Sequence, residues 1–452
     1  MKEAEIEQEK MNVNRKRSLW KRMLPVKIRQ NMRLIYLSII TIVASSILLG
    51  SVQIRPTVFT TGGTLVSTTV EYIEGTVDFF DLSRPHSISL TVDEIQYQRM
   101  KNDFLLNGEK SWIVADAIID GTSIPSVGIR LKGNSTLFPL SGIVAGLPSF
   151  ENPSTLPMLL SFSEFAEGRE YQGRTELAIR SAFAASTTAN EALALQLVAD
   201  SGQVSQKYAF TSFQVNDSPS LTRLVIENPD QGYAESLNLG EGVLYKSRSG
   251  NTFSYHGEDP LDYTEDFVQI NAIGVRDLSP VIRLLGWLDT VTEEKFDAEL
   301  ENWVDVPSFA RYVATHNLLL DWDDMSGPGH NFLLWYDIED EKFTVVSWDL
   351  NQSLSAEGVE LGIMLGFGEG GNAKARWGEN SLQKYFINSE AFASEIERAH
   401  EELQALWFEG ERTFEIIDSF AEIVPITDML NAEEIEADLT ALKDFVVDRQ
   451  VF

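Results

Sequence analysis

Alternation of apolar and polar residues runs through the first half of the chain and is typical of β-strands. SISLTV, from Ser87, predicts one strand, and WIVADAIIDGTSIPSVGIRLKG predicts a β-hairpin that turns at Asp120 and Gly121. Further short apolar runs of strand length are TELAIR, YAFTSFQV, LTRLVIEN and GVLYKS. The first half is therefore expected to be rich in sheet.

Helical spacing of apolar residues becomes more frequent later. One helix is predicted between Asp93 and Gly108, and ANEALALQLVADSG predicts another with Asn190 as its cap. VPSFARYVATHNLLLDW, which follows Asp305, predicts a third helix, and residues 389–449 continue the same pattern. Strands early and helices late indicate an α+β fold class.

A second hairpin is predicted where NFLLWY and FTVVSW flank the polar turn DIEDEK. A turn near Asp340 pairs residue i with about residue 680 − i, which places Asn331 opposite Asp349. Asp323 and Asp324 precede the hairpin across a Gly-Pro-Gly turn. Their hard oxygens suit Mg²⁺ or Mn²⁺, and an Asp, an Asn and a second Asp are the set used in phosphoryl transfer.

Other interpretations of these acids remain open. An Asp at the end of a strand or helix is commonly a cap or turn residue. The spacing fails for an EF-hand, since Gly327 is one position late and Phe332 stands where the bidentate Glu belongs. A glycosidase pair needs a carboxylate separation that the sequence does not fix. His330 is expected to be incidental in its turn, and His316 to pack on its helix face.

Charge changes the picture at the N terminus. Residues 1–33 carry ten Lys or Arg and four Glu, and the uncharged segment 34–52 follows with 19 residues. That length is about enough to cross a bilayer, and a basic flank stays in the cytoplasm. The sequence therefore predicts a single-pass cell-membrane protein with a cytoplasmic N terminus and an extracytoplasmic C-terminal domain. A cleaved signal peptide is the alternative.

The remaining composition excludes several classes of function. The net charge of −32 argues against nucleic-acid binding, which needs a basic face. The 452 residues include no cysteine, which excludes thiol catalysis and zinc–thiolate sites. An exported protein without disulfides fits a bacterial cell surface.

Four segments together resemble the CotH kinase family, spore-coat protein H-like secreted proteins with an atypical protein-kinase-like fold. The segments are VGIRLKGNSTL, GVLYKS, LLLDWDDMSGPGHNFLLWYD, and VVSWDLNQSL with the glycine-rich loop that follows it. The resemblance implies transfer of the ATP γ-phosphoryl group to protein hydroxyls with Mg²⁺ or Mn²⁺. It divides the chain into a basic tail (1–33), a transmembrane anchor (34–52), a stalk (53–82), a CotH kinase-like domain (83–410) and a C-terminal helical extension (411–452).

The resemblance also implies roles for individual residues. Asp323 would be the catalytic base, with Asp324 as a substitute. Metal binding would fall to Asn331, Asp349 and Asn351. The candidates for nucleotide binding are Arg130, Lys132, Glu227 and Lys246, with Glu227 orienting a lysine or touching the base. Arg130 and Lys132 are expected to share one face of their strand, because side chains alternate along a strand.

Two departures from the family pattern support an alternative function. Many relatives have a second Asp where this chain has Asn351, and LPMLLSFSEF lacks the lysines of the corresponding basic segment. The alternative is a non-catalytic envelope or coat-assembly scaffold that keeps the fold. A calcium-stabilised adhesion or carbohydrate-binding module is a third hypothesis. The kinase hypothesis requires a protein substrate, which the sequence does not identify.

Overall fold

The computed structural model describes residues 71–141, 148–181, 187–355 and 380–450. Its strands are β1 (Glu71–Ile73), β2 (His86–Val92), β3 (Ile113–Ile119), β4 (Thr122–Leu131), β5 (Met158–Ser161), β6 (Arg169–Tyr171), β7 (Glu176–Ile179), β8 (Tyr208–Val215), β9 (Leu221–Glu227), β10 (Gly242–Ser247), β11 (Phe267–Gln269), β12 (Phe332–Asp337) and β13 (Phe343–Ser347). Its α-helices are α1 (Glu94–Asn107), α2 (Ala189–Asp200), α3 (Gln231–Ser236), α4 (Ser279–Thr290), α5 (Glu293–Glu299), α6 (Val306–Leu318), α7 (Ser381–Asn388), α8 (Ala393–Phe408), α9 (Arg412–Ile423) and α10 (Ala432–Gln450).

A closed barrel with the strand order β2-β3-β4-β5-β7-β9-β8 forms the first half of the fold. The parallel β2–β8 pair completes the ring. Asp120 and Gly121 form the predicted turn, with positive φ values of 47° and 82° that match a type I′ hairpin. Ile129 and Leu131 lie fully buried in the barrel core, so the side chain between them faces outward. The prediction that Arg130 lies on the face opposite these apolar residues is confirmed.

The outer face of the barrel is covered by a second core. Leu159 of β5, Ala178 of β7 and Leu224 of β9 belong to the core that also contains α2 and the four-stranded sheet β11-β10-β12-β13. Because strand residues alternate, Arg180 leaves the barrel on the same side as Ala178. Arg180, which follows β7, is thereby directed toward the second core.

The β12–β13 hairpin forms as predicted, but the predicted register was wrong by one residue. Phe332 pairs with Ser347, so residue i pairs with residue 679 − i. The strands also stop before the polar residues, and Asn331 and Asp349 lie beyond the ladder. Asn331 therefore does not face Asp349 as a cross-strand pair.

The side chain of Asp337 accounts for this register. Its Oδ1 accepts hydrogen bonds from the backbone N–H groups of Glu339 and Asp340, each at 2.8 Å. Glu341 takes a left-handed φ of 55° on the return side of the loop. The turn is therefore centred between Glu339 and Asp340 rather than on Asp340, and a shift of one residue changes the face of every side chain.

The ends of α1 and the start of α6 lie where the sequence predicts them. Asp93 caps α1 through Oδ1, and Gly108 ends it with a φ of 70°. Asp305 caps α6 by accepting a 2.9 Å hydrogen bond from the Ser308 N–H. Both results match the expected capping chemistry.

The predicted cap of α2 was wrong. The helix begins at Ala189 with Thr188 as its N-cap, and Asn190 is the second helical residue. The Asn190 side chain instead donates to the carbonyls of Asn351 (3.2 Å) and Ser353 (2.9 Å). The amide therefore bonds a segment about 160 residues later in the chain, a contact that the local sequence does not indicate.

The first and last described residues both belong to the compact unit Thr68–Phe452. Residues 71–82, predicted as the end of a stalk, are part of it: β1 pairs with β6, and Phe79 is buried in the barrel core. Helices α8, α9 and α10 contribute to the second core. Among the described residues no helix has the length and apolar character needed to span a membrane. The predicted anchor at 34–52 and the glycine cluster at 366–371 lie outside the described residues.

Candidate functional site

The carboxylates after α6 are held by an unusual run of backbone. Non-glycine residues with left-handed φ surround the site: Leu320 (55°), His330 (48°), Asp349 (64°) and Leu354 (50°). Each such residue costs about 1–3 kcal/mol, and strain of this kind is concentrated at functional sites.

Asp323 and Asn331 form the centre of the first half of the site. Asp323 Oδ1 accepts a 2.6 Å hydrogen bond from the Gly329 N–H. Asn331 Nδ2 donates to Asp323 Oδ2 at 3.1 Å and to the Asp323 carbonyl at 3.0 Å. The amide nitrogen is thus fully used, and Asn331 Oδ1 has no hydrogen-bond partner among the described residues.

Burial raises the pKa of Asp323 to about 8. The hydrogen bond from Gly329 opposes this shift, while the neighbouring carboxylates of Asp321, Asp349 and Asp324 add to it. A carboxylate whose pKa lies near neutrality is suited to accept a proton.

Gly329 is required by the close approach of the turn to these two side chains. A Cβ at this position would lie 2.6 Å from Asn331 Nδ2 and 2.7 Å from Asp323 Oδ2. We expect Gly329→Ala to displace the Asp323–Asn331 pair and to lower the rate of the phosphoryl transfer implied by the family resemblance at least about tenfold, because displacements on the ångström scale are costly at reacting groups. The rate with saturating ATP measures this. Gly410→Ala, where no atom lies closer than 4.0 Å, is the matched control and should leave the rate unchanged.

Asp324 is placed differently from Asp323. Its Oδ1 accepts from the Ser326 N–H at 2.8 Å, and its Oδ2 accepts from Gln383 Nε2 of α7 at 2.5 Å. Burial raises the pKa of Asp324, although His316 and these hydrogen bonds oppose the shift. Oδ1 is therefore used within the loop and Oδ2 in holding α7 to it, so Asp323 is better placed than Asp324 to accept a proton.

Asp349 lies in the second half of the site, at the end of β13. Its Oδ1 is ion-paired with Arg180 Nη2, and 27% of its side chain is exposed. Arg180 also donates from Nε to Glu191 Oε2 at 2.9 Å. Burial would raise the pKa of Asp349, but Arg180, Lys246 and Lys132 hold it below its ordinary value.

Two lysines lie over the indole ring of Trp348. Lys246 Nζ is 4.2 Å from the ring centroid and Lys132 Nζ is 5.6 Å from it. Burial lowers the pKa of Lys246 to about 8, with Asp349 opposing the shift and Arg180 adding to it. Burial, followed by repulsion from Lys246 and Arg180, lowers the pKa of Lys132 well below its ordinary value. Cations held this close to one another gain from an anion placed between them.

The remaining candidates for nucleotide binding lie at the edge of the site or away from it. Arg130 packs over Trp112, with its guanidinium carbon 4.9 Å from the ring centroid. Glu227 orients neither lysine: it forms a 2.6 Å ion pair with Arg174 and accepts a 2.8 Å bond from the Lys207 N–H. The structure therefore does not bring Glu227 together with Lys246.

Sequence reasoning missed Arg180 and Glu191. A signal for Glu191 was present, because it is the single carboxylate in the otherwise apolar part of ANEALALQLV, and a buried acid requires a partner. Arg180 ends TELAIR and shares a strand face with Ala178, but nothing local indicates that Asp349, 169 residues later, would lie beside it.

Metal binding at this site would have to use few protein ligands. Among the described residues no group of three His, Asp or Glu side chains is arranged to hold a metal. Asp349 Oδ2 and the side-chain oxygen of Asn351 accept no hydrogen bond from the residues that the structure describes. The same is true of Asn331 Oδ1. One carboxylate with amide oxygens fits Mg²⁺ or Mn²⁺, which complete their shells with phosphate oxygens and water.

The fold and site define a mixed α+β protein that gathers carboxylates, amides and cations at the junction between a barrel and a second sheet. The chain belongs to the CotH kinase protein family, whose model matches residues 156–451. That range contains Arg180, Lys246, Asp323, Asn331 and Asp349, while IRLKGN lies ahead of it. No curated protein gives a significant match.

Proposed function

We propose that the chain is a CotH-type protein kinase with an atypical protein-kinase-like fold, which uses ATP and Mg²⁺ or Mn²⁺ to phosphorylate protein hydroxyls. The observation that carries the proposal is the Arg180 guanidinium, which pairs with Asp349 and Glu191 beside two further cations. Such a cluster is unusual in a protein with a net charge of −32. A polyphosphate bound beside a metal-binding carboxylate accounts for it.

The cations would bind and orient the phosphates. Lys246 and Lys132 approach from the sheet and the barrel, so both parts of the fold would contribute charge to one ligand. Arg180 is held by Glu191, which fixes the direction of its guanidinium fork. An ion pair between a strand cation and a helix carboxylate is also part of the protein-kinase arrangement.

Asp349 and Asn331 would hold the metal, with Asn351 as a further amide ligand. When bound, the metal supplies positive charge that offsets the charge of the phosphates. Asn331 is suited to this role because Asp323 takes its amide nitrogen and leaves its oxygen for another partner. The same contact fixes the distance between the base and the metal ligand.

Asp323 would act as the base in the transfer step. The substrate hydroxyl oxygen forms a bond to the γ-phosphorus, the bond from that phosphorus to the β–γ bridging oxygen breaks, and the hydroxyl proton passes to Asp323. ADP leaves with the electron pair of the broken bond. The raised pKa of Asp323 supports this assignment over a purely structural role.

The location of the reaction is proposed from sequence. The basic segment 1–33 and the apolar segment 34–52 would place the site outside the cytoplasm, anchored to the cell membrane. The partner is then an extracytoplasmic protein that offers a serine or threonine hydroxyl.

Lys246→Met is expected to weaken binding of ATP with Mn²⁺ by about tenfold or more. A hydrogen bond to a charged group contributes about 1.5–3 kcal/mol, and methionine keeps the packing on Trp348 without the charge. Isothermal titration of the purified variant measures the dissociation constant. Lys342→Met, in the turn of the β12–β13 hairpin, is the matched loss of a lysine and should bind like the wild type.

Transfer of label from [γ-³²P]ATP to the protein itself or to a surface-protein extract, with Mn²⁺ and with EDTA, tests the proposed function. Metal-dependent labelling that is lost in Asp323→Asn is the expected result. The scaffold alternative predicts neither labelling nor nucleotide binding. The scaffold alternative was argued partly from the lack of lysines in LPMLLSFSEF. This argument is weakened, because the segment contains the buried strand β5, and Arg180, Lys132 and Lys246 provide cations elsewhere.

A further inference from the structure

His316 touches elements that carry the two halves of the site. The residue lies in α6, and only 2% of its side chain is exposed. Its Nδ1 is 3.0 Å from Asp321 Oδ2, and its Nε2 is 3.1 Å from Ser347 Oγ. The imidazole therefore bridges the loop after α6 and the last residue of β13.

Each contact of His316 leads directly to a group of the proposed reaction. Asp321 Oδ1 accepts a 3.3 Å hydrogen bond from the Asp323 N–H. Ser347 lies two residues before Asp349 on the same chain segment. The imidazole is thus linked to the proposed base, Asp323, through one side chain, that of Asp321. It is linked to the proposed metal ligand, Asp349, through Ser347, which lies two residues earlier in the chain.

Packing alone does not account for this arrangement. The Asp321 side chain is fully buried, and an isolated buried carboxylate is costly. His316 supplies its partner, while Tyr312 packs against the ring with the centroids 4.4 Å apart. The Tyr312 hydroxyl in turn accepts a 3.1 Å bond from the Met325 N–H, which fixes the loop from the other side. A carboxylate can only accept, so Nδ1 donates to Asp321, and Nε2 of the neutral ring then accepts from the Ser347 hydroxyl.

We infer that His316 is a positioning residue that fixes Asp323 relative to Asp349, and that phosphotransfer depends on this bridge. The inference rests on the proposed function. His316 does not touch the reacting atoms and acts through Asp321 and Ser347. Reacting groups must be held to within about 0.5 Å, and a displacement of about 1 Å can cost a hundredfold in rate. A loosened bridge should therefore lower kcat while nucleotide binding persists.

Two variants remove the link to β13 without leaving Asp321 unpaired. Ser347→Ala deletes the hydroxyl and keeps the His316–Asp321 contact. His316→Asn keeps an amide nitrogen near the position of Nδ1 and loses the reach to Ser347. Because both changes break the same contact, the double variant should be no slower than the slower single variant.

The experiment measures kcat, the KM for ATP, the dissociation constant for ATP with Mn²⁺, and Tm in the purified full chain. We expect each single variant to lose about tenfold or more in kcat while the dissociation constant stays within about twofold. Ser154→Ala, a fully buried serine in the short 3-10 turn before β5 that bonds Ser218, is the matched control. It should leave kcat unchanged.

The outcomes separate the inference from the proposed function. Unchanged kcat in Ser347→Ala, or additive losses of kcat in the double variant, would contradict the positioning role of His316. Turnover by the wild type would still support the proposed kinase activity. Equal losses of binding, kcat and Tm would also contradict the positioning role, since His316 would then only stabilise the fold. Absence of wild-type turnover and nucleotide binding contradicts the proposed function first, and the positioning role with it.

Discussion

Asp349→Ala is expected to abolish metal-dependent binding of ATP. Asp349 lies among the cations of the cluster, and although burial would raise its pKa, Arg180, Lys246 and Lys132 all hold that pKa below the ordinary value. Removal of this carboxylate takes away the proposed metal ligand. The three cations then lack its counter-charge, so ATP without metal should bind at least as well as to the wild type.

The variant should therefore lose the metal dependence of ATP binding rather than all binding. Titration with ATP in Mn²⁺ and in EDTA measures both states. The wild type should bind more tightly with metal, and Asp349→Ala should show no gain from metal. Asp340→Ala removes an exposed acid from the turn of the same hairpin, and should behave as the wild type does. Equal gains from metal in wild type and Asp349→Ala would mean that the metal site lies elsewhere.

Asp323→Asn is expected to lower kcat by about 10²- to 10⁴-fold, the range that general-base catalysis contributes. Asparagine has nearly the same shape, and its Oδ1 can still accept the bond from Gly329. Its Nδ2 cannot accept from Asn331, but Asn331 keeps its bond to the backbone carbonyl of residue 323, so the turn should keep its conformation. It cannot accept a proton from the substrate. Binding of ATP with Mn²⁺ should remain within a fewfold of the wild type, as a steady-state assay beside isothermal titration would show.

Asp324→Asn is the matched variant one residue later. Both oxygens of Asp324 already accept hydrogen bonds, from Ser326 and Gln383, so its loss should act on the docking of α7. We expect a lower Tm and a loss of less than about tenfold in kcat. A larger loss of kcat in Asp324→Asn than in Asp323→Asn would assign the base to Asp324 and contradict the account.

Local patterns were sufficient to predict most elements around the site. The two-residue turn at Asp120 and Gly121 followed from a known hairpin sequence, and the helix after Asp305 followed from its apolar spacing. These features depend on neighbours in the chain. The hairpin of β12 and β13 was predicted for the same reason, whereas its register depended on one side chain, Asp337, that bonds within its own loop.

Long-range pairing was harder to predict. Arg180 and Asp349 are 169 residues apart, and their contact requires both the closure of the barrel and the packing of its outer face on the second core. The family resemblance implied that Glu227 orients a lysine or touches the base, but its carboxylate forms an ion pair with Arg174 instead. Polar residues at strand ends can be recognised from sequence, while their partners are decided by topology.

His316 illustrates the same limit within one helix. Its helical spacing predicted a buried position, which is confirmed. The contact with Asp321, five residues later, depends on the left-handed turn at Leu320, and the contact with Ser347 depends on the position of β13. Neither condition can be read from apolar spacing.

A thermal-shift titration of the purified protein with ATP tests the central claim most directly. It compares wild type and Asp349→Ala in Mn²⁺, in Mg²⁺ and in EDTA. The account predicts a rise in Tm with ATP and metal together in the wild type, which follows from binding to the folded state, and no metal-dependent rise in the variant. Absence of any shift with either metal, or a shift of equal size in both proteins, would contradict a nucleotide site built on Asp349.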